Sequence, residues 1–465
     1  MENAKPSHLR KRSPNRGLVL IGISGALSAV VYGLNFRFSL LLTPFWQATS
    51  IQIYLALFAA LSVLYLAAVG LVLHIRPTPG QSRAMFAGII ALAVVFRMLL
   101  VFEEPAVLSS DMYRFIWDGR VQHAGTNPYR YPPADEALKD LRDERIYPHI
   151  NRKTARTIYP AGAQLFFRAV HALVGDSVTG FKGALVVCDL FALALIAALL
   201  RGNGLDPNRV LIYAWNPLVI FEIAYSGHLE SIIVLLMAGA FILAARHRKL
   251  MSVALLALSS AIKLYPALLL SAFLNRAGRI KGMVVFAAVF GLLYLPYLDA
   301  GEKMIGFLPI YLKNPYESFN LGLKSLILHF FPGLDYYRLS LALVTGLAAV
   351  ALVVLYKDKK PTQALFYGYV LIGWLMILMP AALHPWYVIL IIPFLTFFPH
   401  AAWLVFSCMV ALSYVKYITP QGIMPTWVLL CEYLPLAALL TGGWAYRRLA
   451  SGSVARHRNA AGAGP

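Results

Sequence analysis

Apolar runs of about twenty residues recur along this chain, and no other feature narrows its fold so far. A helix of that length crosses the hydrocarbon core of a bilayer, where a backbone must satisfy its own hydrogen bonds. Such runs, or shorter pieces interrupted by proline, fall at 17–35, 51–74, 84–102, 179–200, 210–225, 230–245, 282–298, 339–356, 364–379, 387–398, 401–416 and 427–446. They predict an all-α integral membrane protein, a multi-span helical bundle with short interfacial helices in one loop region. With 59% hydrophobic and 13% charged residues, the chain is excluded from the soluble globular class. Residues 250–275 are the ambiguous stretch, because one straight helix would carry the basic cluster at Arg276 to Lys281 to the wrong face. Two half-helices meeting at Lys263-Leu264-Tyr265-Pro266 restore the sidedness, with Pro266 as the break. Counting both gives about twelve to fourteen membrane segments with both termini cytoplasmic.

The formal net charge of +20 points to an anionic partner. Its position decides which. Lys and Arg cluster in short connectors, at Lys5 to Arg16, Arg76 and Arg83, Arg201 and Arg209, Arg246 to Lys249, Arg276 to Lys281, Lys357 to Lys360 and Arg447 to Arg458. This is the positive-inside pattern, so the partners it implies are membrane lipids and not nucleic acid. Cys188, Cys408 and Cys431 all lie in apolar runs, which implies neither a disulfide framework nor a thiolate metal site. The basic start followed by Gly17 to Asn35 reads as a retained signal-anchor helix.

After Phe102 the pattern breaks. Residues 103–156 hold nine of the 21 acidic residues and nine basic ones, and under the positive-inside topology this loop faces outward. With Ser110 as N-cap, Asp111 opens a helix, and spacing of three and four puts Asp111, Arg114 and Asp118 on one face. Met112, Phe115 and Ile116 form its apolar side, and Tyr113 and Trp117 are expected to anchor it at the membrane interface. The turn-rich, aromatic run Gly125 to Pro133, with Asn127 and Tyr129, ends the helix beside Asp118 and Arg120. Aromatics and Asn beside carboxylates suit a sugar, and a solvated interfacial loop fits the same composition.

The string SDMYRFIWDGRVQHAGTNPYRYPP at residues 110–133 resembles the first external loop of bacterial polytopic glycosyltransferases of the C superfamily, the mannosyltransferase-like group that uses polyprenyl phosphate sugars. The resemblance runs on through Ile158-Tyr159-Pro160, Trp215-Asn216-Pro217, Ser226-Gly227-His228-Leu229-Glu230, Ile262 to Pro266 and His384-Pro385-Trp386-Tyr387. It covers about residues 84–398. Two departures stand out. Two helices precede the core, so 17–83 reads as an added N-terminal hairpin, and the motif at His228 ends in Glu230 where Asp is the commoner residue. The expected organisation is a cytoplasmic basic N-terminus at 1–16, that hairpin at 17–83, a transferase-like core at 84–398 with its external loop at 103–178, C-terminal helices at 399–450, and a disordered cytoplasmic tail at 451–465.

What the resemblance implies is inverting transfer of a sugar, mannose in the nearest case, from a polyprenyl phosphate donor to an extracytoplasmic glycan or lipid acceptor, in the bacterial inner membrane. Asp111 would be the general base. Lys263, His384, Arg114 and Arg156 would hold the departing phosphate. Lys263 stands out because a lysine in an apolar stretch is costly, though it could equally snorkel or pair with Glu222. Glu222, His228 and Glu230, at one turn, are candidates for acceptor binding or support of Asp111, together with Asp118, Arg120, Asn127 and Tyr129; a capped helix hairpin is the plainer alternative. Arg97 and Asp189 read as structural partners, Asp118 and Arg120 as a possible pair, and Glu103 or Glu104 as a second acid. With no HExxH, no CxxC and no Asp-x-Asp in the outer loops, no metal or other cofactor is expected. Intramembrane Arg97, Asp189, Glu222 and Lys263 could instead line the path of a lipid or solute transporter. A non-catalytic scaffold, or a polymerase using a diphosphate-linked donor, is also consistent with these residues.

Overall fold

The computed structural model describes residues 14–41, 48–103, 108–275, 278–313, 319–359, 363–379 and 382–442. The basic residues before Pro14, Glu104, Arg276 and the tail after Ser451 lie outside the described residues. Among those described, every regular element is helical. The first ten helices are α1 (Pro14–Leu41), α2 (Ala48–His74), α3 (Pro79–Val101), α4 (Asp111–His123), α5 (Ala161–Val174), α6 (Val178–Gly202), α7 (Leu211–Ala214), α8 (Pro217–Ile220), α9 (Glu230–Ala245) and α10 (Lys249–Ser260).

Local chemistry starts these helices where it can. Thr78 and Gln81 close a capping box ahead of Pro79 at the first turn of α3. The Ser177 hydroxyl accepts from the Gly180 amide at α6, and the Asn216 side chain accepts from Leu218 and Val219 at α8.

Among the described residues, six helices are long and apolar enough to cross a membrane, and two bent pairs bring that number to as many as eight. The twelve to fourteen segments expected from the sequence include the pieces that proline and the loop motifs break short. Pro217–Tyr225 and Glu230–Ala245 meet at 118° across Ser226 to Leu229, and Arg279–Leu292 meets Leu295–Ile310 at 94°. The break after Ser260 also occurs, leading into a tight helical turn at Tyr265–Leu269. Large apolar side chains such as Val63, Phe191, Ile280 and Leu341 remain exposed along the long helices, as a hydrocarbon solvent requires and water would not tolerate.

The α1–α2 hairpin is built into the core. Tyr32 packs on Phe96 and Phe221, Tyr54 packs edge-on to Phe221 and Tyr414, and the Tyr65 hydroxyl donates to the Ile212 carbonyl at 2.8 Å. Arg97 and Asp189 do pair, at 2.5 Å and fully buried, with Tyr213 donating to the other Asp189 oxygen at 2.6 Å. Removing either partner alone would strand a charge in an apolar interior, so the pair locks α3 to α6.

The polar segment folds back over α4 and buries it nearly all round. Tyr113 and Trp117 therefore lie inside, against His149 and Tyr147, and do not anchor an exposed interfacial helix. Its other face meets α5 so closely that a Cβ on Gly119 would sit 2.8 Å from the Phe167 carbonyl oxygen.

Candidate active site

Among the described residues, the segments that meet around Asp111 include the start of α4, the loop 151–159, the α8–α9 break at 226–230, the α10 break at 261–265, the segment 383–387 and the segment 414–417. Asp111 is the first residue of α4, half-buried where residues 112–119 after it are buried. Ser110 occupies the N-cap position without a side-chain bond, and the Ser109 hydroxyl accepts from the Asp111 amide instead, at 3.2 Å. The carboxylate accepts from Asn151 Nδ2 at 2.7 Å and is hydrogen-bonded to Tyr159, whose buried phenol is held well above its usual range by desolvation and by Asp111. Two neutral donors thus orient the carboxylate.

Beneath it runs a buried relay. Ser109 Oγ lies 3.2 Å from His228 Nε2, His228 Nδ1 lies 3.0 Å from Glu222, and the Tyr414 hydroxyl donates to Glu222 at 2.7 Å. Glu222 sits in one turn of π-helix, Phe221–Tyr225, an irregularity that recurs at functional positions. Gly227, two residues beyond it, takes φ of +76°, a backbone conformation that favours glycine, with the Met112 methyl of α4 close by.

Beside the relay stands a column of rings. His228 stacks on Trp386 at 3.9 Å, Trp386 on His384 at 4.3 Å, and His384 on Phe319 at 4.8 Å. Burial pushes the His384 imidazole down to about 3, opposed by Asp111 and reinforced by His228, Lys263 and Lys416. His384 is therefore neutral at pH 7, and its Nδ1 has no hydrogen-bond partner among the described residues. It can offer a phosphate a hydrogen bond but not a charge.

Lys263 pairs with Glu230 at 2.6 Å, and not with Glu222; Tyr265 donates to the same Glu230 oxygen at 2.7 Å. The Lys263 ammonium also lies 5.3 Å from the centre of the Tyr387 ring, which meets His384 edge-on.

Other sequence candidates have structural employment. Arg114 and Asp118 share a face with Asp111 as the spacing predicts, and bond to each other at 2.9 Å; Arg114 also donates to the Ala155 carbonyl, and Gln164 donates to Asp118. Asp118 does not pair with Arg120, which bridges Asp143 at 2.7 Å and Asp176 at 3.0 Å. Asn127 binds Asp299 and the Tyr297 carbonyl, and the Tyr129 hydroxyl donates to the Tyr159 carbonyl at 2.8 Å. Arg156 is exposed and donates to the Arg130 carbonyl. Sequence reasoning missed Asn151, Ser109, Tyr414, Phe319 and Lys416. The resemblance did flag Tyr159 and Trp386 within their motifs, without giving them roles.

Residues 16–277 match the family model described as alpha-(1->6)-mannopyranosyltransferase, N-terminal domain. With the helical membrane bundle, this makes the protein a polytopic membrane glycosyltransferase of the C superfamily, acting on mannose. The match spans more than half of the chain, and the chain belongs to this family, MptA_B. The matched residues take in the α1–α2 hairpin together with Asp111, the Glu222–His228 relay and Lys263. No curated protein and no solved structure matches the chain.

Proposed function

We propose that the protein transfers mannose, with inversion, from a polyprenyl phosphate donor to a hydroxyl of an extracytoplasmic glycan or lipid acceptor in the bacterial inner membrane, and that Asp111 is the general base. The observation that carries this reading is the half-buried Asp111 carboxylate, oriented by Asn151 and Tyr159, in a site that also holds the Lys263 ammonium and the unpartnered His384 ring nitrogen.

In this mechanism the acceptor hydroxyl gives its proton to Asp111 as its oxygen attacks the anomeric carbon. The bond from that carbon to the phosphate oxygen breaks, and the electron pair leaves with the polyprenyl phosphate. Positive charge develops on the sugar and extra negative charge on the phosphate, so a carboxylate at the attacking oxygen and a cation at the leaving one both favour the transition state. Lys263 is the cation and His384 a neutral donor. The buried relay through Ser109, His228 and Glu222 holds the start of α4, and so the base, in register. A transport path finds less support, because the charges that would line it have partners where they stand: Arg97 with Asp189, Glu222 with the Tyr414 hydroxyl and beside His228, and Lys263 with Glu230.

The test is transfer of radiolabelled mannose from a mannosyl phosphopolyprenol to an envelope extract by the purified protein in lipid. Asp111→Asn keeps size and hydrogen bonding but cannot accept the proton, so the rate is expected to fall about 10²- to 10⁴-fold with donor binding intact. Turnover equal to that of the unaltered protein would remove Asp111 as the base.

A further inference from the structure

Glu432 lies on the apolar helix Thr426–Gly442 and is fully buried. A carboxyl group at such a place is unfavourable unless it is hydrogen-bonded, and its presence asks for a reason. One oxygen accepts from Asn320 Nδ2 at 2.7 Å, and the other has no hydrogen bond among the described residues. Asn320 makes two more bonds. Its side-chain oxygen accepts from the Gly322 amide at 2.8 Å, and its backbone carbonyl accepts from the Leu383 amide at 2.5 Å.

Those bonds hold both neighbours of one ring. Leu383 immediately precedes His384, and Phe319, which immediately precedes Asn320, is the ring stacked on His384. A single asparagine therefore fixes the backbone beneath His384 and the ring above it, and Glu432 is the group that fixes the asparagine. We infer that Glu432 is a positioning residue for the His384 end of the ring column, acting through Asn320 from a part of the chain beyond the family match. The consequence for donor binding rests on the phosphate role proposed above for His384; the structural consequence does not.

Two readouts on the full chain in lipid keep these apart. Glu432→Met fills the space without an acceptor, and Glu432→Gln keeps an oxygen that Asn320 can reach. Hydrogen exchange of the segment containing Leu383 is expected to speed up about tenfold in Glu432→Met and to stay near the unaltered rate in Glu432→Gln. The KM for mannosyl phosphopolyprenol is expected to rise about tenfold in Glu432→Met with kcat within about twofold, and to be rescued in Glu432→Gln. Asn320→Ala cuts the same bond from the loop side and is expected to reproduce both changes, which covers the case where Glu432→Met does not fold. Unchanged exchange at Leu383 in Glu432→Met or Asn320→Ala overturns the inference, as does a Glu432→Gln protein that behaves like Glu432→Met. Faster exchange with an unchanged KM, in an unaltered protein that turns over the donor, overturns it too. If the unaltered protein does not use that donor, the donor reading falls, and the exchange result alone decides the role of Glu432.

Discussion

Lys263 has one ionic partner in the structure, Glu230, and a second in the proposed mechanism, the donor phosphate, and the difference between them can be measured. Its ammonium holds the fully buried Glu230 carboxylate at 2.6 Å, so Lys263→Met strands that charge, at about 3–5 kcal/mol of stability. Adding Glu230→Gln removes the stranded charge while leaving the ammonium absent. Thermal unfolding in lipid should then show most of the stability recovered in the double variant, whereas the KM for the phosphopolyprenol donor should stay raised about tenfold or more. A double variant with normal donor binding would put Lys263 outside the phosphate site and leave it as the partner of Glu230 alone. Glu230→Gln by itself keeps Lys263 and is the control for any direct contact between Glu230 and substrate.

Among the elements, the cover over α4 is the least expected from sequence and the most exposed to test. Arg120 ties α4 to Asp143 in the overlying segment and to Asp176 in the turn before α6. Partial burial raises the Asp143 carboxyl, but the Arg120 guanidinium and the Tyr147 and Ile146 amides outweigh it and hold the group well below the carboxylate range; Asp176 is lowered in the same way by Arg120 and His171. A depressed carboxyl contributes its full stabilisation above its unfolded value, near 4, and loses it as the pH falls through the folded one. Protection of residues 136–150 against hydrogen exchange, measured relative to an unfolded chain at the same pH, is therefore expected to be full at pH 7 and to fall below about pH 4. Arg120→Met should show the faster exchange already at pH 7, and protection that survives the substitution would mean that Arg120 does not hold the cover. The sequence foretold α4, its acidic first turn and the Arg114–Asp118 face, because helix periodicity is local. It misjudged Tyr113 and Trp117, since what covers them arrives from some thirty residues away, and pattern within a helix cannot say what will land on it. The Pro266 break was legible for the opposite reason, because proline is excluded from a helix interior though it can open a new helical turn, as it does at Tyr265–Leu269. The ring column was not, because Phe319, His384 and His228 meet only through the tertiary fold.

At the scale of the whole molecule, the proposed chemistry requires that α4 and its cover face away from the cytoplasm. The site is built from one end of the bundle: α4 and its overlying loop, the α8–α9 and α10 breaks, and the turns around Asn320 and Leu383 all meet there. Basic residues fall instead at the opposite ends of α6 and α9, at Arg201 and at Arg246 to Lys249, and the proposed orientation places that side in the cytoplasm. Glu136 offers a direct check, because its side chain is 82% exposed on the cover and makes only a long ion pair with Arg142. With Cys188, Cys408 and Cys431 replaced by Ala or Ser, a lone cysteine from Glu136→Cys should react with a membrane-impermeant maleimide in cells whose inner membrane is intact. A second lone cysteine, from Gly202→Cys at the exposed end of α6, should react only once that membrane is opened. The reverse pattern would turn the site toward the cytoplasm, where an extracytoplasmic acceptor could not reach Asp111. The polyprenyl phosphate reading would then fail even if every contact described above were correct.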